Sequence, residues 1–550
     1  MKISFLGAAN MVTGSNYLIT TDNYKILLDC GQFQGGKETE RLNYLPFDFN
    51  PSEIDFLFLS HAHIDHSGRI PKLVKEGFRG KIYCTRPTYE LVDILLRDSG
   101  HIHEMEAIWE NRKRMRAGLD QIEPLYTVED AENSLQYFNP VLYDQLIHVN
   151  ASISIRFQDA GHILGSSIIE LWLKEGDKES KLVFSGDLGM KDRPLLRNPV
   201  YIEDADYLII ESTYGNRKHE EAETRISKLV DIINATINRG GTVVIPSFAV
   251  GRTQELIYEL NKFYDDPEKF KDFLRVPVYI DSPLAISATE IFRKNADCFD
   301  EETREYILNG DNPLDFYNLH FTKTPEESRA LNTSEEPKII ISASGMCEAG
   351  RIKHHLKHYL WKKNASVIFV GYQAEGTLGR AIKEGVKQVK IFGEKILVRA
   401  EIHTIEGFSG HTDMDGLMDW MRGFKKPPKK VFVVHGEQDA TANLAELIRQ
   451  AFRTETIVPN LHDSFILNGV TRENPVDTIR EKKDQNKDVE AIFARFMDAV
   501  EHAENLVACT VSQENHDEVK NKLIQLEREI MNFNMILGDK RNRKGNEEKN

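Results

Sequence analysis

Apolar residues in the first 60 positions come in short runs that are separated by glycine, asparagine and aspartate. The runs ISFLGA, SNYLITT, YKILLDCG and IDFLFLSH are typical of short β-strands bounded by turns. A long segment with helical periodicity, PTYELVDILLRDSGHIHEMEAIWENRKRMRAG, comes next, and further strands are predicted in SISIRFQDAGHILGSSIIELWLK and KLVFSGDLG. Strands, helices and more strands in this order predict a layered α/β architecture.

From about residue 215 to about residue 395 the pattern becomes an alternation of helices and buried strands. RISKLVDIINATINRG and GRTQELIYELNKFYDD have helical periodicity, whereas GTVVIPS, VPVYIDSP, KIIISASG and SVIFVGY are apolar runs bounded by Gly, Ser or Pro. This alternation predicts a mostly parallel sheet that is covered on both faces. Because chemistry like that of the first half resumes at AEIHTIEGFSGHTD and KKVFVVHGE, we expect one domain inserted into another.

The segment after residue 470 carries apolar residues at helical spacing, first in AIFARFMDAVEHAENLV. A second run has a 4-3-4-3 spacing that is typical of a narrow coiled-coil stripe: Val519, Leu523, Leu526, Ile530 and Phe533. Two helices that fold back on the body and a hairpin that forms a homodimer are both consistent with this spacing. The composition of the last residues, DKRNRKGNEEKN, predicts disorder.

Composition narrows the class of protein. The length of 550 residues predicts two or three domains, and 41% hydrophobic residues indicate a globular chain. No apolar stretch approaches the roughly 20 residues needed to cross a bilayer, and MKISFLGAANMVTGS predicts a first strand, not a signal peptide. The five cysteines have no CxxC spacing, which predicts reduced thiols in the cytoplasm and argues against a cysteine-based zinc site.

The segment LSHAHIDHSG (59–68) places three histidines and an aspartate within six positions, at the end of an apolar run. His61 and His63 are two residues apart, so an extended chain directs both imidazoles to one side, as two ligands of one ion require. Asp65 and His66 follow where the chain turns and are placed to face a second ion. The alternative is a solvated polar loop, but four ligand-type side chains at one strand end favour a metal site.

Three more ligand-type residues follow predicted strands: His162 in DAGHILGSS, Asp187 in FSGDLG and His435 in VFVVHGE. Each alone is as consistent with a hydrogen-bonded loop residue as with a ligand, whereas the set favours a metal, because a buried aspartate is costly unless paired or metal-bound. Donors restricted to nitrogen and oxygen favour Zn²⁺, with Mn²⁺ as the usual competitor. Asp29, in LLDCGQF, is predicted to accept a hydrogen bond from a ligand histidine or to hold the turn.

With these motifs the chain resembles the metallo-β-lactamase superfamily, and its β-CASP group of nucleases in particular. HxHxDH with the downstream His, Asp and His carries the first resemblance. ESTYG (211–215), FSGHTD (408–413) and VVHGE (433–437) are similar to motifs A, B and C of the group. PSFAVGRTQE, SASGMCEAGR and GYQAEGTLGR resemble the body of the inserted domain. The resemblance covers about residues 1–465 and is strongest to compact prokaryotic RNA-cleaving members related to RNase J and to the pre-mRNA 3′-end endonuclease.

The fold class implied by this resemblance is α/β. It consists of a four-layer αββα metallo-β-lactamase sandwich, an inserted parallel-sheet β-CASP domain and, outside the resemblance, a helical C-terminal tail. We therefore expect residues 1–212 and 396–470 to form the first domain, 213–395 the insert and 471–550 the extension.

The resemblance also implies a ligand assignment, with His61, His63 and His162 on one zinc, Asp65, His66 and His435 on the other, and Asp187 bridging. Two such ions lower the pKa of a shared water, and the hydroxide formed attacks a phosphodiester, leaving 5′-phosphate and 3′-hydroxyl ends. Asp65, as one of these ligands, is also counted among the expected catalytic residues.

His411 is the candidate general acid for the departing 3′ oxygen, and Glu211 is expected to orient it and keep it protonated. A structural carboxylate is the weaker alternative for Glu211. For His403, a supporting contact behind a ligand and a hydrogen-bonded strand histidine are equally consistent.

RNA is the expected substrate, because a histidine at motif C is found in RNA-processing members of the group and a valine in Artemis-like DNA nucleases. The backbone at Ser409 and Gly410 is predicted to cradle a phosphate, and Arg252 and Arg351 each follow a glycine at a predicted strand-to-helix junction, where they suit phosphate contacts. RIKHHLKHY (351–359) is consistent with a basic stripe and equally with a solvated face. The net charge of −16 argues against a general nucleic-acid coat protein but not against a charged cleft.

Three alternatives remain: a small-molecule hydrolase of the thioesterase or lactonase type, a DNA nuclease of the same group, and a catalytically silent scaffold. The complete set of ligands and motifs argues against the first and the last. Endonuclease and 5′-exonuclease activity share these motifs, so the sequence does not separate them. A homodimer through the β-CASP domain or the C-terminal helices is a further expectation; a membrane partner is not.

Overall fold

The computed structural model describes residues 1–219, 222–265, 273–371, 373–374, 376–405, 408–468, 470–471, 478–510, 516, 519–520, 522–526 and 529–530. The chain divides into two compact units. The first consists of residues 1–303 and 313–473, and the second of residues 304–312 and 474–550. All the predicted site residues belong to the first unit.

The strands of the described residues are, in chain order, β1 (Lys2–Phe5), β2 (Tyr17–Thr20), β3 (Lys25–Leu28), β4 (Phe56–Phe58), β5 (Lys81–Thr85), β6 (Phe138–Val141), β7 (Ile147–Asn150), β8 (Ile153–Asp159), β9 (Ser167–Glu175), β10 (Lys178–Phe184), β11 (Tyr207–Ile210), β12 (Thr242–Pro246), β13 (Val278–Ile280), β14 (Leu319–Phe321), β15 (Lys338–Ser342), β16 (Ser366–Phe369), β17 (Gln388–Ile391), β18 (Glu394–Leu397), β19 (Glu401–Thr404), β20 (Lys430–Val433), β21 (Glu455–Ile457), β22 (Ser464–Ile466) and β23 (Val470–Thr471).

The α-helices are α1 (Lys37–Arg41), α2 (Ile64–Ser67), α3 (Ile70–Lys75), α4 (Arg86–Arg116), α5 (Val128–Leu135), α6 (Ala222–Asn238), α7 (Arg252–Asp265), α8 (Pro283–Lys294), α9 (Glu301–Leu308), α10 (Pro325–Thr333), α11 (Ile352–Tyr359), α12 (Leu378–Lys383), α13 (Met414–Met421), α14 (Gln438–Phe452) and α15 (Thr478–Thr510). Short 3₁₀ helices lie at Leu42–Tyr44, Pro51–Glu53 and Ala296–Cys298.

Two mixed sheets pack face to face in the first unit. A seven-stranded sheet has the order β22-β1-β2-β3-β4-β5-β6, and an eight-stranded sheet has the order β21-β20-β11-β10-β9-β8-β7, with β23 paired to β10. Aromatic side chains from both sheets meet between them: the ring centroids of Phe5 and Phe432 are 5.0 Å apart, and those of Tyr17 and Phe184 are 5.4 Å apart. Burying these large apolar surfaces from water stabilises the sandwich.

Helices cover the outer faces of the sandwich. Leu417 and Trp420 of α13 and Leu444 of α14 pack against Ile210 and Val433 on the outer face of the eight-stranded sheet. On the other side, α5 contacts both α3 and α4, and α4 also contacts β5 and β6. The four-layer αββα arrangement predicted from the sequence is confirmed.

The long helix α4 shows how local sequence sets an element. Thr85 accepts a hydrogen bond from the backbone N–H of Thr88, which caps the helix, and Pro87 lies in its first turn, where a missing N–H costs nothing. Lys113, Arg114 and Arg116 lie in its last turn, where cations are favoured by the helix dipole.

The inserted domain is built on a six-stranded sheet of order β14-β13-β15-β12-β16-β19, in which every strand pair is parallel. The parallel sheet predicted from alternating helices and strands is therefore confirmed. Leu356 and Tyr359 of α11 and Ile382 of α12 pack on Val244 and Val367 of this sheet. Because β19 pairs with β16, this parallel sheet continues to Thr404. The domain boundary expected at residue 395 stays a prediction.

Strand direction in the sandwich brings the predicted site residues to one edge. Strands β10, β11 and β20 are parallel neighbours, and Asp187, Glu211 and His435 each follow one of them within three residues. Strands β3 and β4 are also parallel neighbours, and Asp29 and His61 follow their ends. Parallel strands present their carboxyl ends on the same side, so residues far apart in sequence meet there.

The second unit contains α15, which includes the first predicted tail helix. Of the predicted stripe, Val519, Leu523, Leu526 and Ile530 are helical, whereas Phe533 lies outside the described residues. The predicted disorder of residues 539–550 also falls outside them. Dimerisation through this segment stays a prediction.

Among the described helices, no stretch is both long and apolar enough to span a membrane. Cys30, Cys84, Cys298 and Cys347 are buried and are not joined in disulfides.

Candidate metal centre

The first ligand group is formed by His61, His63, His162 and Asp187, whose ligand atoms lie within 4.8 Å of one another. Nε2 atoms of His61 and His162 each lie 3.2 Å from Nδ1 of His63. Oδ2 of Asp187 lies 3.4 Å from Nε2 of His61 and 3.6 Å from Nε2 of His162.

Asp65, His66 and His435 form the second group, again within 4.8 Å. The Nε2 atoms of His66 and His435 are 3.1 Å apart, and Oδ2 of Asp65 lies 3.5 Å from Nε2 of His435. Oδ2 of Asp187 is also 3.3 Å from Nε2 of His66, while its Oδ1 is 3.7 Å from Nδ1 of His435. Asp187 therefore stands between the two groups.

The donor atoms fit metal ions better than they fit one another. One ring nitrogen from each of His61, His63 and His162 points to a common place. A proton on one of these nitrogens cannot form good hydrogen bonds to both of the others, because a neutral imidazole offers only one N–H. Oδ1 of Asp187 is buried and finds no hydrogen-bond partner among the described residues. Buried polar atoms in this state point to an ion or a water. Histidine nitrogens and carboxylate oxygens are the donor set of zinc sites without cysteine.

Burial and charge set the protonation of the first group. Burial, together with the nearby His66, lowers the pKa of His61 to about 3, and burial lowers that of His63 to about 4. Both imidazoles are therefore neutral near pH 7 and offer lone pairs. In His66, burial lowers the pKa but is outweighed by the carboxylates of Asp187 and Asp65, so the pKa is raised.

Asp29 holds His66 from behind. This fully buried carboxylate accepts from Nδ1 of His66 at 2.7 Å, from the hydroxyls of Ser15 and Ser60 at 2.9 and 3.0 Å, and from the N–H of Ser60 at 2.8 Å. In the neutral ring that a metal ion requires, donation from Nδ1 leaves the lone pair of Nε2 directed into the centre. This arrangement has the form expected for the supporting role predicted for Asp29.

Glu211 and His411 lie beside Asp187. Nδ1 of His411 is 3.1 Å from Oε2 of Glu211 and 3.8 Å from Oδ2 of Asp187. Oε1 of Glu211 also accepts from the N–H of Leu188 at 2.6 Å, which fixes the carboxylate. Burial alone lowers the pKa of His411, but Glu211 and Asp187 outweigh it and raise the pKa to about 9. The imidazole is therefore cationic near pH 7.

The 408–412 loop is joined to the loop that carries Asp187. His411 forms a β-bridge with Gly189, and the N–H of Thr412 donates to the carbonyl of Leu188 at 2.7 Å. Gly410 lies against the ring of His162: a Cβ at this position would be 2.8 Å from Cε1 and 3.0 Å from Nδ1 of that ring. The close approach explains why a glycine precedes His411.

We expect Gly410→Ala to lower turnover by about 10²-fold, because the added methyl displaces either the His162 ring or the His411 loop by a fraction of an ångström or more. Steady-state kinetics together with zinc content would measure this. Gly36→Ala is the matched control, since Gly36 has φ of −70° and no atom within 4 Å of an added Cβ. Equal turnover of the two variants would contradict the expectation.

Two arginines that were predicted to contact phosphate instead form hydrogen bonds within the protein. Arg252 is buried and its Nη1 donates to Glu255. Arg351 is mostly buried and donates to Asp281 at 2.5 Å and to the carbonyl of Thr322 at 3.0 Å. Guanidinium groups held in this way have fewer donors left for RNA, so we do not assign phosphate binding to them. Ser409 lies at the loop, where its hydroxyl accepts from the N–H of His411 at 3.3 Å.

Residues 352–359 of the segment 351–359 form α11, but the segment is not a uniform basic stripe. His355 is fully buried and lies 2.6 Å from Asp281, and Lys357 pairs with Glu394 at 2.6 Å.

His403 lies on β19, where its Nε2 is 3.3 Å from Glu401 of the same strand. It belongs to none of the three clusters of ligand-type side chains found among the described residues. A supporting role for His403 at the centre stays a prediction.

Several supporting side chains were not predicted from the sequence. The hydroxyl of Thr213 lies 3.1 Å from Nδ1 of His435, and that of Ser60 lies 3.0 Å from Nδ1 of His61. Nε2 of His219 lies 3.1 Å from the carbonyl oxygen of His411, and the backbone N–H of His219 donates to the carboxylate of Asp413. Ser60 and Thr213 sit inside the recognised motifs, but one sequence does not tell which way a hydroxyl points.

Asp159, at the end of β8, is expected to make stability depend on pH. Burial raises the pKa of its carboxyl to about 7, despite the N–H of Gly161 and the charge of Arg197, which lower it. Between about pH 4 and pH 7 the folded protein keeps a proton that the unfolded chain has released. The free energy of unfolding should therefore fall by up to about 1.4 kcal/mol per pH unit as pH rises through this window, and level off above it.

Asp159→Asn should remove this slope. Urea unfolding at pH 5, 6, 7 and 8 measures it as the difference between the two proteins, with Asp177→Asn at an exposed turn as the control. Parallel pH profiles of the parent and Asp159→Asn would contradict the assignment.

Comparison with protein families matches three parts of the chain. Residues 18–188 match a model described as a metallo-beta-lactamase superfamily domain, residues 253–382 a Beta-Casp domain, and residues 395–459 a Zn-dependent metallo-hydrolase RNA specificity domain.

Curated relatives cover most of the chain. It is 37% identical to Ribonuclease TTHA0252 of Thermus thermophilus over 448 residues, and the aligned region covers 82% of this chain and 96% of that protein. It is 33% identical over 471 residues to Transcription termination factor FttA of Methanocaldococcus jannaschii, covering 84% and 70%. With FttA of Methanococcus maripaludis it is 32% identical over 478 residues, covering 85% and 72%.

Proposed function

The chain belongs to the β-CASP family of metallo-hydrolases with the metallo-β-lactamase fold, and from this we propose that it is a zinc-dependent ribonuclease acting on single-stranded RNA. It hydrolyses phosphodiester bonds and leaves 5′-phosphate and 3′-hydroxyl ends. The observation that carries the proposal is the Glu211–His411 pair set directly beside the two ligand groups. Metal ligands alone serve many hydrolases, whereas this pair supplies a proton donor at the same place.

In this proposal His61, His63 and His162 would hold one zinc ion and Asp65, His66 and His435 the other, with Asp187 available to both. The bound ions, with Mn²⁺ as the competing choice, would supply a nucleophile at neutral pH and neutralise charge on the phosphate. Asp29 and Thr213 keep the rings of His66 and His435 oriented through their Nδ1 atoms.

His411 donates the proton to the 3′ oxygen that leaves. Its Nδ1 faces Glu211, so Nε2 is the ring nitrogen available to a substrate. The Glu211 carboxylate, paired with Nδ1, raises the pKa of the ring and favours its acid form before reaction. The backbone at Ser409 and Gly410 lies next to this ring and is placed to contact the phosphate.

RNA is preferred over DNA for two reasons. The C-terminal part of the sandwich matches the RNA specificity domain, and the relative with 96% of its length covered is named a ribonuclease. This match, residues 395–459, includes His435, the histidine at motif C. The cytoplasm remains the predicted compartment.

Matched single-stranded RNA and DNA oligonucleotides, end-labelled and carrying a 5′ monophosphate, test the proposal. We expect cleavage of RNA, with products that carry 5′ phosphates, and little cleavage of DNA. The product ladder separates internal cuts from stepwise release. His411→Ala prepared in the same way reports contaminating nuclease.

Cleavage of DNA at the same rate as RNA would mean that the protein is a general nuclease and not a ribonuclease. Intact RNA and DNA in the presence of stoichiometric zinc would overturn the nuclease proposal.

A further inference from the structure

Four charged side chains are buried behind the loops of His162 and His411: Arg193, Arg225, Arg252 and Glu255. Arg193 lies in the loop after β10, a short distance beyond Asp187. The other three belong to α6 and α7 of the inserted domain. The cluster therefore crosses the boundary between the sandwich and the insert, close to the metal centre.

Glu255 is the centre of this cluster. Its Oε2 accepts from Nη2 of Arg193 at 2.5 Å and from Nη1 of Arg252, and its Oε1 is 3.7 Å from Nη2 of Arg225. Burial raises the pKa of Glu255, but Arg193 and Arg252 outweigh it and lower the pKa to about 2. Breaking a buried charge pair of this kind is costly, because removing one partner leaves the other without compensation.

Arg193 makes a second contact that reaches the metal centre. Its Nη1 donates to the backbone carbonyl of His162 at 3.3 Å, and a Cβ on Gly410 would lie 3.5 Å from the same nitrogen. The guanidinium carbon of Arg225 lies 5.0 Å from the centre of the Phe408 ring, which is buried at the start of the same loop. The cluster thus supports both loops at once.

The proposed reaction requires a fixed distance between the imidazole rings of His162 and His411, one from each of these loops. The ring centroids of His162 and His411 are 4.5 Å apart, one ring belonging to the first ligand group and the other to the pair with Glu211. A shift of the His162 backbone relative to Gly410 changes the distance between the proposed acid and the proposed metal ligands. A displacement of about 1 Å in such a relation costs about 10²-fold in rate.

We propose that Arg193 is a positioning residue: fixed by Glu255 of the inserted domain, it holds the His162 backbone against the 408–411 loop and so sets the place of the His411 imidazole. The inference rests on the proposed ribonuclease function. It gives the inserted domain a part in the geometry of the reaction, separate from any contact with RNA. Arg193 is only 5% exposed, so its substitution should act on kcat and leave KM unchanged.

Arg193→Lys is the test. Lysine keeps a cation opposite Glu255, but one ammonium group cannot span both Glu255 and the carbonyl of His162 as the guanidinium fork does. We expect kcat to fall by about 10²-fold with KM and zinc content equal to those of the parent. The matched control is Arg197→Lys, from the same loop: Arg197 also donates to the inserted domain, at the carbonyls of Asp297 and Phe299. It should keep the parent's kcat.

A second variant covers the case in which Arg193→Lys does not fold. Glu255→Asp keeps the charge and shortens the side chain by one methylene, which breaks the bond to Arg193. It should lower kcat in the same way, and the two substitutions together should cost no more than the larger one alone, because both act through one bond.

The outcomes separate cleanly. An Arg193→Lys protein with the parent's kcat, or one whose loss of turnover is fully explained by lost zinc or by the unfolded fraction, overturns the inference. Additive effects of the two substitutions on kcat would also overturn it. A parent protein that cleaves no RNA would instead overturn the proposed function.

Discussion

Asp187→Asn is expected to remove bound zinc and to lower RNA cleavage by about 10³-fold or more. Asp187 belongs to the first ligand group and stands beside the second, with Oδ2 within 3.6 Å of ring nitrogens of His61, His66 and His162. Asparagine has nearly the same shape but no negative charge. Four buried imidazoles would then face the ions without the anion between them, and both the nucleophile and the charge on the phosphate would lose their support.

Zinc content after dialysis and turnover at a fixed free zinc concentration measure this effect. Asp29→Asn is the graded comparison: it contacts His66 and no metal position directly, so we expect a loss of about 10–100-fold in zinc affinity. Asp187→Asn with the zinc content and turnover of the parent would mean that the two groups do not form one metal centre.

The second large effect is expected for His411→Ala, which should lower kcat by about 10²–10⁴-fold while zinc content stays that of the parent. The reason is chemical: without the imidazole, the departing 3′ oxygen must take its proton from water. The ring touches Glu211 and Asp187 but is not needed to complete either ligand group. Single-turnover cleavage of RNA with zinc saturating measures the chemical step.

His148→Ala, at an exposed histidine on β7, is the control and should match the parent. Glu211→Gln should also lower kcat, and adding it to His411→Ala should cost nothing further, because the carboxylate acts through the ring that is already gone. A His411→Ala protein that lost its zinc would show that the ring holds metal, and the general-acid assignment would then be wrong.

The sequence by itself was sufficient for the local features of this protein. Apolar runs of strand length and helices of 3.6-residue period are local patterns, so a layered α/β architecture, the parallel sheet of the insert and the long helix α4 could be predicted from them. The same holds for HAHIDH, because four ligand-type residues within six positions meet whatever the rest of the chain does. Their positions after predicted strands added His162, Asp187 and His435, and the family resemblance then divided the set between two ions. The four-layer αββα order was implied by the family resemblance.

The tertiary structure alone decided which distant side chains meet and how each is held. His66 and His435 are 369 positions apart and touch only because β4 and β20 end at the same edge of the sandwich. The arginines that follow Gly251 and Gly350 suit phosphate contacts by their local sequence, yet Arg252 and Arg351 are bound to the buried carboxylates Glu255 and Asp281. A buried charge needs an opposite charge beside it. Which opposite charge lies beside it depends on how helices and strands pack together, and a local sequence pattern does not contain that information.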